Sequence, residues 1–576
     1  MAFQVSPGVQ VQEIDLTSGV PAVSASIGGY AGVFNWGPVD EIRLISSEKE
    51  LASTYASPSS VTADLHLDSV SFQVAASFLK YGNALKVVRS VASSTATGAP
   101  PTALNASVSG EGVLVKNAEA YANASLSAKG AWIAKYPGAL GNSLQVQVCA
   151  YSSADAAFTA WSGKSNFTGA PGTSAFADAN GSSNDELHVL VLDKDGLWTG
   201  TPGTVLERFA YLSQATGAKN ADGLPSYYVD VINNTSKYIW FANDLTGLTA
   251  AGTAVTDAID FMDATAAATS VIISDLADGA DGSTTASDIN LSLDILADEN
   301  VDLNLLFAAG DPDGSGDTVA GHLIEIAEAR KDIVAFISPP VSETAQSTDP
   351  LDDVLTWYAS LNESSSYAVY DSTALKVYDK YNDTYVWIPA CGHIAGLCAR
   401  TDNVADAWYS PAGYNRGVLL GVTKLAYNPA KADRDELFKN KINPIVAFPG
   451  QGIVLYGDKT ALSKPSAFDA INVRRLFITL EKSISTFAKF QLFEFNDEFT
   501  RAAFRNAVEP FLREVQGRRG ITDFKVVCDE TNNTGDVIDR NEFVADIYIK
   551  PARAIRGITL NFIATRTGVS FTELGA

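Results

Sequence analysis

Hydrophobic and polar positions near the start of the chain alternate with period two. Val9 and Val11 alternate with Gln10 and Gln12. Ile14 and Leu16 then alternate with Glu13 and Asp15, one residue out of phase. This predicts a strand with a bulge at Gln12-Glu13, ended by Gly19-Val20-Pro21. A terminal strand with no nearby hairpin partner is suited to pairing with a distant or foreign sheet edge. Further on, Val70, Val74, Phe78 and Leu79 recur at helical spacing, and Leu85 to Arg89 reads as a strand.

The pattern then changes twice. Between 91 and 130, Ala, Gly, Ser and Thr supply 23 of 40 residues. Val113-Leu114-Val115 within it, and Trp132-Ile133 and Leu144 to Val148 after it, still supply strand material, which predicts an inserted β-rich domain rather than a disordered linker. From about 268, short apolar runs alternate with amphipathic helices. The runs are Ser270 to Ile273, Asn304 to Ala308 and Ile333 to Ile337. Helices are expected from Asp288 to Ala297 and around Val319, Leu323, Ile326 and Ala327. This alternation predicts a parallel sheet with right-handed crossovers.

The last hundred residues carry two helical stripes and three strands. Val473, Leu476, Phe477, Leu480, Ile484 and Phe487 form the first stripe. Phe499, Ala503, Val508, Phe511 and Val515 form the second, with Asn496 as the expected N-cap, a kink at Pro510 and an end at Gly517. Strands are expected at 523–528, 542–550 and 558–565. Ile558, Leu560, Phe562 and Ala564 share one face of the last.

Charge divides the chain unevenly. The 576 residues hold 41 Lys+Arg and 66 Asp+Glu, a net of -25. Residues 471–576 hold 15 cations and 14 carboxylates, so nearly all the excess acid lies before them. So acidic a chain repels phosphate, which argues against nucleic acid as a partner. The four cysteines, Cys149, Cys391, Cys398 and Cys528, are too sparse for a disulfide scaffold, and the spacing of the close pair fits neither a redox motif nor a zinc knuckle. They read as buried small side chains. The N-terminus shows no signal-peptide pattern and no apolar run is long enough to cross a membrane.

Few segments suggest chemistry. Asp311-Pro312-Asp313-Gly314-Ser315-Gly316-Asp317 resembles the start of a calcium loop, but its twelfth position is His322 where a glutamate is required. A strand-to-helix turn accounts for it. Gly172-Thr173-Ser174-Ala175 is similar to a subtilase nucleophile segment, yet none of His66, His188, His322 and His393 stands in a matching context. Phosphate-loop, dinucleotide and nucleophile-elbow motifs are absent. No enzyme activity, cofactor or metal is expected. Gly450-Gln451-Gly452 reads as a turn. Arg513, Arg518 and Arg519 form a basic cluster at a helix C-terminus, suited to the helix dipole or to an acidic protein partner.

Several segments together resemble the tail sheath family of contractile phages and related injection machines. They are Pro7-Gly8-Val9-x-Val11-x-Glu13, Tyr136-Pro137-Gly138-x-x-Gly141-Asn142-x-Leu144, and Ile388-Pro389-x-x-Gly392-His393-x-Ala395-Gly396 leading to Ala399-Arg400-Thr401-Asp402. Pro411-Ala412-Gly413, Arg416-Gly417, Phe448-Pro449-Gly450-x-Gly452-Ile453, Asn472-Val473-Arg474-Arg475-Leu476 and Cys528-Asp529-Glu530-Thr531-Asn532 follow. The resemblance covers both ends and most of the chain after 265, and is weak between about 150 and 265.

The resemblance implies a structural subunit. Such subunits stack as six-fold rings around an inner tube in an extended high-energy state, and their contraction drives the tube through a cell envelope. It implies a subtilisin-like α/β region without a triad, an outer insert and a C-terminal α+β domain with exchanging terminal arms. Implied partners are further sheath subunits, the tail tube, and baseplate and terminator proteins, in a virion assembled in the host cytoplasm, without nucleic-acid contact or membrane insertion.

The expected organisation is an arm (1–22), an early core part (23–95), the insert (96–240), the α/β region (241–456), the C-terminal domain (457–566) and a tail (567–576). Strand exchange between subunits is expected at Val9, Val11, Ile14, Leu16, Ile558, Leu560 and Phe562, with hinges at Ser18-Gly19 and near Gly568. Arg513, Arg518 and Arg519 are expected to touch the tube or a neighbour. Alternatives are the sheath of a bacterial injection system, a cryptic subtilase-like hydrolase using Ser174, and an adhesin binding through the insert.

Overall fold

The computed structural model describes residues 26–58, 67–93, 101–243, 271–312, 317–556 and Thr559. The arm, and with it Val9, Val11, Ile14 and Leu16, lies outside these residues, as do Ile558, Leu560 and Phe562. Two compact units divide the chain: Ser24–Ala407 with Pro411–Arg474, and Trp408–Ser410 with Arg475–Ala576.

The larger unit is built on a seven-stranded sheet. Its order is Ile442–Asn443, Ala368–Asp371, Val334–Ile337, Leu305–Ala308, Gly28–Val33, Leu85–Ser90 and Arg43–Ile45. The first six run parallel, and Arg43–Ile45 closes one edge antiparallel to Leu85–Ser90. The central strands are apolar throughout because both faces are covered by helices. On one face Ala31, Val88, Leu306, Ala335 and Ile337 pack with Leu293, Leu323, Ala327 and Trp357 from the helices Ala286–Ala297, Asp317–Arg330 and Pro350–Leu361. On the other, Phe307 stacks on Phe78 of the helix Leu67–Leu79, ring centroids 5.5 Å apart.

The run expected at 270–273 as the first parallel strand forms elsewhere. The strand is Ile272–Asp275, and it pairs antiparallel with Leu144–Ala150. It is the edge of a four-stranded sheet completed by Glu186–Asp193 and Thr204–Ser213. A four-residue apolar run does not specify its partner. Position decides it: Ser107 bridges to Ala277 and Leu104 to Ala280, so the chain leaves this sheet alongside its own entry.

The smaller unit packs the helices Ile471–Ala488 (from Arg475) and Glu498–Gly517 with the hairpin Ile521–Val527 and Asp546–Pro551. Leu476, Leu480, Phe487, Phe504, Val508, Leu512 and Val515 fill its core. Only Val508 and Val515 of the second expected stripe are fully buried; Phe511 packs at the margin, and Phe499 is 81% exposed. The five-residue step from Ala503 to Val508 turns the helix well past its starting face, so Phe499 and Ala503 belong to another side. The N-cap is Asp497, not Asn496: its carboxylate accepts the Thr500 N–H at 2.8 Å. Asn496 instead donates to the Glu542 carbonyl at 2.8 Å.

The helix runs through Pro510 to Gly517, but the left-handed residue beyond it is Arg519, φ 66°. Gly520 packs closely, since a Cβ there would lie 2.7 Å from the Val515 side chain and 3.1 Å from the Trp408 ring, and neither could stay in place. The strand expected from 542 begins at Asp546. Before it, the Asn533 side chain takes both backbone groups of Val544, at 2.7 and 2.9 Å, in place of a strand partner.

Candidate functional site

The most specific motif, Gly392-His393-x-Ala395-Gly396, lies in the helix Cys391–Val404 and is a packing device. A Cβ on Gly392 would sit 2.4 Å from the Val74 carbonyl, and one on Gly396 2.5 Å from the Tyr81 ring. Two glycines one turn apart therefore let this helix lie directly on Leu67–Leu79. His393 is fully buried, with Nδ1 2.9 Å from the Tyr81 hydroxyl, which also accepts the Leu420 N–H at 2.6 Å. Burial, with Lys80 adding to it, holds the imidazole well below its usual range, so it stays neutral.

Beside this helix, at the C-terminal ends of the parallel strands, lies the place where open α/β sheets position ligands. It is occupied by buried and half-buried side chains. Ser338 donates to the Asp371 carboxylate and accepts the Cys391 N–H at 2.7 Å. Tyr358 Oη lies 2.9 and 2.8 Å from the carbonyls of Ile337 and Asp371. Burial raises Asp371 to about 8 against the Ser338 and Thr373 hydrogen bonds, and raises Cys391 to about 12. A thiol held there is no nucleophile at neutral pH, and Asp371 and Cys391 are at most 1% exposed.

Ser174 caps the short helix Ala175–Ala179 and donates to Asp185 at 2.7 Å. His188 cannot serve it as a base. Its Nδ1 accepts the Tyr211 N–H at 3.0 Å, so Nε2 carries the proton, 2.9 Å from the Gly169 carbonyl. Asp311 accepts the N–H groups of Thr318 and Val319 at 3.0 and 2.8 Å, ahead of the helix Asp317–Arg330. His322 in that helix faces Asp294 at 2.8 Å. Residues 313–316 of the calcium-like segment lie outside the described residues.

The remaining motifs hold the chain's shape. Arg89 is fully buried. It donates to the carbonyls of Phe34, Gly37 and Pro137 at 2.8, 2.9 and 2.8 Å. It thus ties the sheet to Tyr136-Pro137-Gly138, where Gly138 takes φ 143° with its Cβ position 2.7 Å from the Asn35 carbonyl. The only sequence signal was an arginine ending an apolar strand. Arg474 lies between the rings of Tyr367 and Phe468, at 4.2 and 3.9 Å. The Gly450 turn joins Ile445–Phe448 to Gly452–Leu455, with both glycines at positive φ.

Surfaces remain. Arg513, Arg518 and Arg519 are exposed at the C-terminal end of the helix Glu498–Gly517. Arg513 pairs with Glu509 at 3.4 Å and Arg518 with Glu514 at 3.7 Å, while Arg518 also stands over Trp408. Five large apolar side chains, Phe490, Leu492, Phe493, Phe495 and Phe499, are each more than 60% exposed before and at the start of that helix.

Residues 282–461 match the phage tail sheath protein central domain, and 463–565 the phage tail sheath C-terminal domain. The chain is 34% identical to the tail sheath protein of Enterobacteria phage T4, over 99% of both chains. It belongs to the phage tail sheath family. Identity to the tail sheath protein of Vibrio phage KVP40 is 33%, again over 99% of both chains. The fold is that of the sheath tail proteins of Listeria innocua and Desulfitobacterium hafniense, with TM-scores of 0.51 over 92% and 94% of this chain and 96% and 100% of theirs, at 11% and 12% identity. This sheath chain is therefore a structural component of a contractile phage tail, not an enzyme. The Ser174 hydrolase reading falls with that assignment and with the geometry around His188.

Proposed function

We propose that this sheath chain polymerises as stacked six-fold rings around an inner tube and contracts to drive that tube through the host envelope. The observation that carries the reading is identity of 34% over 99% of the T4 tail sheath protein. In this reading the α/β region is subtilisin-like in fold and serves as scaffold, consistent with the burial of Asp371 and Cys391 beside Ser338.

Subunits are linked by strand exchange. The hairpin Ile521–Val527 and Asp546–Pro551 is a two-stranded sheet among the described residues, so an added strand has an edge to pair with. Val9, Val11, Ile14 and Leu16 of one copy, and Ile558, Leu560 and Phe562 of another, would supply such strands. Hinges at Ser18-Gly19 and near Gly568 would let the ladder survive rigid-body motion. Arg513, Arg518 and Arg519 touch the tube or a neighbour, and baseplate and terminator proteins cap the polymer. The particle is assembled in the host cytoplasm. Deleting residues 1–20 tests the linkage: the expected product is a folded monomer that forms no tubes, and normal tubes would contradict it.

A further inference from the structure

The near-neutral charge of the C-terminal unit conceals two opposite ends. The segments 490–499 and 529–546 hold nine carboxylates and one arginine. They lie together, since Asn496 donates to the Glu542 carbonyl at 2.8 Å and to Asn533 at 3.3 Å, with Arg501 donating to Asn496 at 3.2 Å and Arg505 and Lys525 near Asp529, so this end remains acidic in excess. The segments 513–519 and 550–556 hold six cations and one carboxylate. They too are joined, by the Ala552 N–H to the Gly520 carbonyl at 3.1 Å. The 20-residue helix Glu498–Gly517 places its two termini about 30 Å apart, while Asp546 and Lys550 lie on one strand between the two ends.

Acid at a helix N-terminus and base at its C-terminus suit the helix dipole. That does not explain why the acidic end also carries Phe490, Leu492, Phe493, Phe495 and Phe499 in the open, with Phe493 fully exposed and at φ 71°. A bulky residue at positive φ is costly, and such strain persists where function holds it. Exposed apolar clusters ringed by charge mark interaction surfaces.

We propose that the aromatic, acidic end of one copy receives the arginine-rich end of the next copy, in a head-to-tail contact. Arginine suits both features, as it pairs with carboxylates and stacks on aromatic faces; Arg518 already stands 5.3 Å over Trp408 in this unit. The exposed aromatic residues before Glu498 and the arginines at the far end of that 20-residue helix do not meet within one chain, and a contact between unlike surfaces propagates into rings or helices. The contact rests on the sheath reading and adds to strand exchange a second, side-chain junction.

Charge exchange in the full-length protein tests it. Arg519→Glu with Arg553→Glu, and separately Glu494→Arg with Glu530→Arg, should each raise the concentration needed for tube formation by at least about tenfold, because like charges then face each other. Combining all four changes should restore assembly to within about threefold of the parent. Phe493→Ser with Phe495→Ser should impair assembly as much while leaving the melting temperature unchanged, which guards against a charge variant that fails to fold. Unimpaired variants, or a four-residue variant no better than its parents, would overturn the contact; in the second case the loop faces the tube or a terminal segment. If the parent protein forms no tubes, the sheath reading itself fails.

Discussion

The Arg89 guanidinium donates to the Pro137 carbonyl at 2.8 Å and so joins the central sheet to the segment between the strands Trp132–Ala134 and Leu144–Ala150. With Phe34 and Gly37 it satisfies three carbonyls in a fully buried place. Burial lowers its pKa to about 10, against the pull of Asp281, and it stays charged at neutral pH. Arg89→Met should cost at least about 3 kcal/mol, since each orphaned carbonyl carries its own desolvation penalty. Urea unfolding measures this. Arg89→Lys, with one point donor in place of the fork, should fall between the two.

Gly396→Ala should destabilise by about 1–3 kcal/mol, because the added carbon meets the Tyr81 ring at 2.5 Å in a packed interface. Gly321→Ala is the control. It lies in the helix Asp317–Arg330 with nothing within 4 Å of its Cβ position, and should be neutral or stabilising by up to about 1 kcal/mol. Thermal melting of the two variants separates close packing from general intolerance of substitution.

Asp371 makes stability depend on pH in a defined direction. Its folded-state pKa of about 8 lies above the ordinary 3.8, so between these values the folded chain holds a proton that the unfolded chain has lost. Its contribution is therefore full below about pH 4, declines as pH rises towards 8, and is flat beyond. Asp371→Asn should remove this decline, so the stability difference between variant and parent should shift in the variant's favour from pH 5 to pH 8. Urea midpoints at the two pH values check the sign.

Ser174→Ala should cost about 1 kcal/mol through loss of a helix cap. Neither parent nor variant should label with a serine-reactive probe, as His188 spends both ring nitrogens on backbone groups.

The parallel sheet was legible because Leu305–Ala308 and Val334–Ile337 are short runs buried on both faces, set between amphipathic helices. The first C-terminal helix was legible for a similar reason, its stripe from Leu476 to Phe487 being unbroken. Ile272–Asp275 was misplaced because pairing is a long-range property, and the same four residues suit either sheet. Phe499 was drawn into a core stripe because periodicity alone does not reveal a five-residue step. The exposed aromatic cluster is illegible for the same reason, since its residues read as core material until their burial is known. Gly392 and Gly396 were legible as a family motif, but their reason, the approach of Val74 and Tyr81 more than 300 positions earlier, was not.

The central claim, that this chain is the repeating subunit of a contractile sheath, is tested most directly by electron microscopy of the purified full-length protein. The account predicts striated tubes with six-fold symmetry and a helical repeat, in which every subunit occupies an equivalent position. Monodisperse particles at every concentration, with no tubes even when tail tubes are supplied as a template, would contradict it.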